Sequence, residues 1–570
     1  MELFLIDAIG PFFRNYEKPR INWSKIPFPH LATEGPQRRI QWDQIAGDLR
    51  TFAREATALG YNAVTLDDLA HLALHPLQEP EIQHRIQIYR EEFTYLFRLL
   101  KNEFGLKIFL TTDVIPVTPA IDSELKSRAQ LESYYGELVR QILHDFPELS
   151  GLILRIGESD GKDVRDPIRT RLHLRSPREV RKLITRLLPD FEKSGKTLIL
   201  RTWTVGAHRI GDLIWNEGTL DEVLRGIDSP HFIVSMKYGE SDFFRYLPLS
   251  RGFFTIPQNK LLELQARREY EGAGEYPSFI GWDCEQFARE LRDVKNLAGI
   301  SVWCQTGGWH RFRRLAFLED RDIWIRLNVA ASIGIFRDRK TAEETLIAYL
   351  GETRAHPALE LLRHADAAIR HLLYIEDFAK LRLFFRRVRI PPLLHVYWDV
   401  IFINHAVRKV LRHFVPDPAR ALLNGQAAAA KFPHMIALAR EAGLPADDIE
   451  HMRDVFSLLL LARRYYFLPY DPTLIDRLRS AKKSYKLRWP AHKRQRYRLK
   501  LSFLPFHVKR RTLAWTGQVL LRKKHPYRLL DHLLTLHLLG FIFRLFHPRD
   551  PRKTPKFLRK SAMGVETLFK

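Results

Sequence analysis

The amino-acid sequence predicts an α/β fold, a (β/α)8 TIM barrel, followed by an all-helical C-terminal domain and a basic tail. Eight short runs rich in Ile, Leu, Val and Phe recur through the first 310 residues, and helix-length amphipathic segments separate them. Several runs end in charged or aromatic residues, which is where barrel enzymes build their active sites. Eight parallel strands with crossover helices close most simply into a barrel. A doubly wound open sheet is the alternative, but no GxGxxG fingerprint follows the first run.

The apolar runs define the predicted strands, and the segments between them define the predicted helices. The eight strands are predicted over 2–10, 62–69, 107–114, 151–158, 197–203, 231–240, 260–270 and 299–308. Amphipathic segments such as 42–60, 81–105 and 177–195 each end in Gly just before the next strand. Glycine is the usual residue after the last turn of a helix because it adopts a left-handed conformation without strain.

Two further domains follow the catalytic barrel, which we place at 1–335. Helical periodicity replaces the strand pattern after that point, so 336–480 is predicted to be a helical domain. The remainder, 481–570, is a basic and aromatic tail with one apolar segment. It holds 24 of the 91 Lys and Arg residues and only 3 of the 66 acidic residues, and therefore +21 of the net charge of +25. The net charge therefore favours an anionic surface or polymer as a partner of this tail and not of the nearly neutral remainder.

Three interpretations of the tail stay open. Its charge and apolar segment favour adhesion to an anionic membrane surface. The segment, 529–546, contains charged residues and favours an interfacial or docked helix over a spanning one. Interleaved aromatic and basic residues would also allow contact with nucleic acid, although we do not expect that partner. A solvated extension that binds neither is the third interpretation.

The number of cysteines limits which cofactors and which cellular compartment we expect. Cys284 and Cys304 are too few for a disulfide framework, and no Cys/His cluster has metal-ligand spacing. We therefore expect no metal and no other cofactor. The N-terminus has an acid at position 2 and no basic stretch before its apolar run, so we interpret it as the first strand rather than a signal peptide. The expected location is cytoplasmic, with attachment to the inner face of the membrane as the alternative.

Three acids follow predicted strands and would converge on one cleft in a closed barrel. Glu158, Asp242 and Glu269 come after the fourth, sixth and seventh strands. Paired carboxylates across a cleft are typical of glycoside hydrolysis, in which one protonates the leaving oxygen and the other activates water or attacks the sugar. Each acid taken alone is as well explained by a salt bridge.

Three cations lie at neighbouring strand ends and suggest an anionic substrate. Arg155, Arg201 and Lys237 end the fourth, fifth and sixth strands, and buried cations need anionic partners. They either form ion pairs with the three acids in a closed ring or bind a substrate carboxylate. Three tryptophans nearby could stack on a sugar face or belong to barrel packing: Trp203, Trp303 and Trp309.

Four segments, taken in order, resemble the family 67 glycoside hydrolases, which are α-glucuronidases. GLILRIGES resembles the motif that ends in the general acid, which implies that role for Glu158 and a uronate-binding role for Arg155. TLILRTW is similar to a second uronate-binding motif, with Arg201 as its arginine. FIVSMKYGESDFF and LLELQARREYEG resemble the motifs of a lysine with a catalytic aspartate and of a second catalytic carboxylate, which match Lys237 with Asp242 and Glu269. The resemblance implies a barrel followed by a helical domain and an inverting reaction.

The leading functional hypothesis is therefore a glycosidase that releases a uronic acid from an oligosaccharide. Glu158 would be the acid, and Asp242, Glu269 or both would be the base. Arg155, Arg201, Lys237, Trp203 and Trp303 would bind the substrate. The alternatives are a membrane-associated enzyme that assembles or trims anionic envelope polysaccharide and a nucleic-acid-binding protein that uses the tail. The sequence does not decide which sugar is accepted or whether the protein oligomerises.

Overall fold

Aliphatic runs of five to nine residues form the eight strands of a closed parallel barrel. The computed structural model describes residues 1–16, 25–157, 166–170, 173–204, 213, 218–240, 242–305, 314–383, 395–397, 400–503, 511–512 and 521–522. The barrel strands are β1 Leu3–Asp7, β2 Ala63–Asp67, β3 Lys107–Asp113, β4 Leu149–Gly157, β5 Thr197–Thr204, β6 Phe232–Lys237, β7 Asn259–Gln265 and β8 Leu297–Trp303. Each strand pairs with its sequence neighbours, and β8 closes onto β1. The predicted (β/α)8 fold is confirmed.

A helix follows every barrel strand. The helices in this part of the chain are α1 Gly35–Leu59, α2 Pro80–Phe104, α3 Pro119–Glu124, α4 Arg128–Asp145, α5 Pro177–Ser194, α6 Thr219–Leu224, α7 Gly252–Thr255, α8 Gly281–Glu290 and α9 Ile323–Phe336. The glycines predicted to end three of them, Gly60, Gly105 and Gly195, have φ of 101°, 65° and 65°. These left-handed conformations explain why glycine stands there.

The interior of the barrel changes from apolar to polar along the strands. Alternate residues of a strand point inward, so each strand contributes every second side chain to the lumen. An apolar cluster fills the N-terminal part and includes Leu5, Phe109, Ile199 and Leu261. The next inward positions toward the C-terminal end are polar. They include Asp7, Thr65, Asp67, Thr111, Arg155, Arg201, Ser235, Glu263 and Ser301.

The C-terminal region is mainly helical, pairs Arg382–Leu383 with Leu521–Arg522 as a two-stranded sheet, and contains one larger, three-stranded sheet. Its helices are α10 Ala342–Leu350, α11 Glu352–Ala368, α12 Glu376–Ala379, α13 His405–Phe414, α14 Pro418–Ala430, α15 Phe432–Glu441, α16 Ala446–Phe467 and α17 Pro472–Arg488, with a π-helical turn at Ile369–Leu373. The larger sheet, which the sequence interpretation missed, joins β9 Val396–Tyr397, β10 Val400–Asn404 and β11 Arg498–Ser502. The expected helical region is confirmed, and the sheet is an addition that the sequence did not predict. The alternation in RLKLS, with exposed basic and buried or half-buried leucine residues, is the strand signal.

The domain boundaries stay predictions, but the part of the tail that the structure describes is folded. Position 480 lies inside α17, and β11 pairs in parallel with β10 from Val400↔Arg498 to Asn404↔Ser502. The side chain of Arg494 is buried against the helical region. A chain ending at 480 would therefore lose groups that the preceding helices contact.

No helix among the described residues has the length and apolarity needed to cross a bilayer. The apolar segment at 529–546 and most of the tail after 503 lie outside the described residues.

The pairing of β8 with β1 generates a prediction about barrel closure. A Cβ atom added to Gly299 would lie 1.7 Å from the Leu3 carbonyl oxygen, which is backbone and has no room to retreat. We expect Gly299→Ala to destabilise the protein by at least about 1–3 kcal/mol through overpacking. Calorimetric melting temperatures measure the effect.

Gly47→Ala is the matched control, because Gly47 is exposed in α1 and its new Cβ would meet nothing within 4 Å. That change should stabilise the protein by about 0.5–1 kcal/mol through helix propensity. Equal melting temperatures for the two variants would contradict the close approach of β8 and β1.

Candidate active site

The three cations at the strand ends are each paired with an acid of the barrel. Arg155 Nε lies 2.7 Å from an Asp113 carboxylate oxygen, and Lys237 Nζ lies 2.6 Å from Asp242. Burial works to raise the pKa of Asp113, but the charges of Arg155 and Lys25 hold it below its usual value. Of the expected pairs, the described residues show Lys237 with Asp242, and the pair that would involve Glu158 lies outside them. The other two cations have partners that sequence reasoning did not assign to them.

Arg201 forms a two-pronged ion pair with Glu263, which points into the lumen from the middle of β7. Its Nε and Nη2 donate to the two carboxylate oxygens at 3.1 and 3.2 Å. Ser235 Oγ donates to the same carboxylate at 2.6 Å. Two nitrogens of the guanidinium are thus engaged, and Nη1 has no hydrogen-bond partner among the described residues. Sequence reasoning missed Glu263 because the apolar run LLELQ conceals it, although it has the same inward parity as Leu261.

Cations also lie over the two tryptophans that were expected to stack on a sugar. The guanidinium carbon of Arg201 is 3.9 Å from the ring centroid of Trp303. Lys237 Nζ is 3.8 Å from the ring centroid of Trp203 and 5.6 Å from that of Trp303. Contacts of this kind stabilise a desolvated cation. The tryptophans therefore orient the cations.

The pKa values of Asp242 and Glu269 are shifted in opposite directions. Asp242 accepts hydrogen bonds from Lys237 at 2.6 Å, from the Tyr270 hydroxyl at 2.6 Å and from the backbone N–H of Phe243 at 2.9 Å. Burial works to raise the pKa of Asp242, but Lys237 and these hydrogen bonds hold it below the usual value. Burial and then the negative charge of Asp242 raise the pKa of Glu269 to about 7. Two neighbouring carboxyl groups with separated pKa values are the equipment of acid–base catalysis.

Two more buried acids line the same polar layers. Burial raises the pKa of Asp67 to about 7 and that of Asp7 to about 6. Asp67 accepts a hydrogen bond from the backbone of Ile26 at 3.0 Å, and Asp7 accepts from the backbone of Cys304 at 2.6 Å. The inward-facing polar residues of the barrel surround a central cavity of about 30 Å³. That is room for a water molecule, so a sugar ring would lie above it, nearer the mouth of the barrel.

Two predicted residues fall outside the described part of the chain. Glu158 directly follows Gly157, the last residue of β4, and Trp309 follows β8; neither is described. The structure brings together the remaining predicted residues at the C-terminal mouth: Asp242, Glu269, Arg155, Arg201, Lys237, Trp203 and Trp303.

The segment that carries Glu269 is held from outside the barrel by a first buried ion network around Glu271. Arg245 and Arg268 both donate to the Glu271 carboxylate, and the Tyr374 hydroxyl donates to it at 2.8 Å. Arg245 also pairs with Asp366 of α11. Burial works to raise the pKa of Glu271, but the two arginines hold it far below the usual value.

A second buried network holds Glu275, four residues further along the same segment. Arg314 pairs with Glu275 at 2.8 Å and with Asp448 of α16 at 2.7 Å. Arg494 donates to the same two carboxylates, at 3.3 and 2.5 Å. Burial works to raise the pKa of Asp448, but hydrogen bonds from the arginines keep it below the usual value. Helices of the C-terminal region and the residues before β11 thus position the Glu269 segment.

The chain is similar to solved structures, but no relative was found by sequence. No known protein family and no curated protein matches the sequence. A D-tagatose 3-epimerase-like protein is 10% identical, with a TM-score of 0.28, and the match covers 49% of this chain and 91% of that one. A sugar phosphate isomerase/epimerase from Parabacteroides distasonis is 12% identical, with a TM-score of 0.29 over 50% of this chain and 90% of that one. An O-GlcNAc hydrolase variant from Thermobaculum terrenum is 10% identical, with a TM-score of 0.35 over 77% and 85%. At these scores the likeness carries no argument about function.

The second ion network generates a prediction for Arg494. Arg494→Met should leave Glu275 and Asp448 buried with Arg314 as their remaining arginine partner, which costs about 3–5 kcal/mol when a buried pair is broken. The melting temperature should fall, and Glu269 should lose its alignment. Arg479→Met is the control, since Arg479 forms an exposed pair with Asp476 and such pairs contribute about 0–1 kcal/mol. A stable Arg494 variant would show that the network does not hold the segment.

Proposed function

We propose that this protein is a glycoside hydrolase that releases a uronic acid by an inverting mechanism. The observation that carries the proposal is the pair of the buried Asp242 and the half-buried Glu269 at the mouth of the barrel, one ionised and one with a pKa of about 7. The resemblance of four strand-end segments to the α-glucuronidases supports the same assignment. Inverting hydrolysis needs one carboxyl group to protonate the leaving oxygen and another to activate water, and this pair would supply the group that activates water.

Glu269 is the better candidate for the base. A general base works best when its pKa lies near the working pH, because it is then both ionised and able to hold a proton. Asp242 is a weaker base, since Lys237 and Tyr270 stabilise its charge. Asp242 instead sets the pKa of Glu269 by its negative charge and helps to orient the attacking water. Glu158 takes the role of the acid, by the resemblance alone.

The uronate would lie against Arg201, with Arg155 and Lys237 as neighbouring charges. Arg155 pairs with Asp113 and Lys237 with Asp242. Glu263 engages two of the three guanidinium nitrogens of Arg201. The third, Nη1, is the donor through which a substrate carboxylate would be recognised. Glu263 holds the guanidinium plane in place, and a pre-oriented donor loses less entropy when it binds a ligand.

The pKa of Glu269 predicts the pH profile. If Glu269 is the base, kcat/KM on a glucuronide should rise about tenfold per pH unit up to about pH 7, because the protonated form is inactive. Glu269→Gln should lower kcat by about 10²–10⁴-fold. Asp242→Asn should shift the rise to lower pH, since it removes a negative neighbour and leaves Lys237 to favour the ionised Glu269.

Glu290→Gln is the matched control, because Glu290 is an exposed glutamate at the end of α8. A profile that instead falls through pH 7 and loses this limb in Glu269→Gln would make Glu269 the acid. An α-configured substrate that yields the β-anomer, followed by NMR, tests inversion directly.

The guanidinium of Arg201, held by Glu263, predicts selectivity for a glucuronide over a glucoside. Arg201→Lys keeps a positive charge beside Glu263 but removes the planar donor set, so kcat/KM on a glucuronide should fall about 10–100-fold, as for the loss of a charged hydrogen bond. The neutral glucoside should change little. Equal kcat/KM values of the unaltered protein on the glucuronide and the glucoside would contradict uronate recognition.

A further inference from the structure

Two histidines and one glutamate from two helices meet on the outer surface of the helical region. Glu360 and His364 lie one turn apart on α11, and His434 is the third residue of α15. His434 Nε2 is 2.7 Å from Glu360 Oε1, and His364 Nε2 is 3.5 Å from the same oxygen. One ligand atom from each residue lies within 4.8 Å of the other two.

The packing of the two helices fixes this convergence. Leu359 and Leu362 of α11 are buried, as are Met435 and Leu438 of α15. At the other end of the contact, Arg354 Nε donates to the Ala442 carbonyl oxygen at 2.9 Å. The start of α11 therefore lies beside the end of α15, and the start of α15 lies beside the middle of α11. The three side chains are placed by the helices rather than by a loop.

The donor set and its spacing suit zinc. Zn²⁺ binds imidazole nitrogen and carboxylate oxygen at about 2.0–2.2 Å in tetrahedral geometry, which separates the ligand atoms by about 3.3–3.5 Å. The separations from Glu360 Oε1 bracket that range, and exposed side chains adjust by small rotations. Calcium and magnesium prefer all-oxygen sites.

We propose that Glu360, His364 and His434 bind one zinc ion that joins α11 to α15, with water in the fourth position. The site lies in the helical region and joins two of its helices. It does not depend on the proposed glycosidase activity. No metal was expected from the sequence, and this cluster has no local signal because His364 and His434 are 70 positions apart.

Titration of the tag-free full chain with zinc sulfate, followed by calorimetry, tests the proposal. One zinc ion should bind per chain, and the melting temperature should rise by a few degrees because the ion binds the folded state. His434→Gln should weaken binding at least about 10-fold by removing one ligand. His144→Gln is the matched control, since His144 is exposed and contacts a carboxylate of Asp145 but belongs to no three-ligand cluster among the described residues.

Glu360→Gln serves as a second ligand variant, because it preserves shape while removing the anionic donor and guards against a folding defect in the first. The absence of zinc binding by the unaltered chain would overturn the proposal. So would zinc affinity that is the same in both ligand variants as in the control.

Discussion

The ion pair between Lys237 and Asp242 is the interaction on which the candidate site depends. It keeps Asp242 ionised although the carboxylate is buried, and that charge in turn raises the pKa of Glu269 to about 7. The ammonium of Lys237 also lies over Trp203 and near Trp303, so the aromatic walls take their positions around it. A buried charge is tolerated only with a partner, and here the partner that stabilises Asp242 also determines the chemistry available to its neighbour.

The same requirement links the barrel to the rest of the chain. Glu271 and Glu275 lie a few residues after Glu269, and each is buried among arginines that also contact acids of the helical region. The helical region is therefore part of the scaffold of the site and not an appendage. Charges buried at such an interface favour one relative position, because any displacement leaves a carboxylate or a guanidinium without its partner.

Much of this arrangement could be predicted from local sequence pattern. The eight strands, the glycines after three helices and the convergence of Asp242, Glu269, Arg201 and Lys237 follow from periodicity and from the geometry of a parallel barrel. Glu263 was not predicted because a charge within an apolar run has no local signal apart from its parity. The partners of Arg155 and Arg201 were not predicted because pairing depends on register between strands, which the sequence of either strand alone does not specify.

The sequence by itself determined which residues are available at the mouth of the barrel, since strand period and strand order decide which side chains face the lumen. The tertiary structure alone decided which of those residues are charged at neutral pH and which partners they have. A carboxyl group gains or loses its proton according to burial and to the charges beside it, and these are set by contacts between distant segments, as when Arg494 reaches Glu275 across 219 positions of the chain. Pairing of this kind arises only when the chain is folded, because no local pattern encodes the distance between two side chains that meet in space.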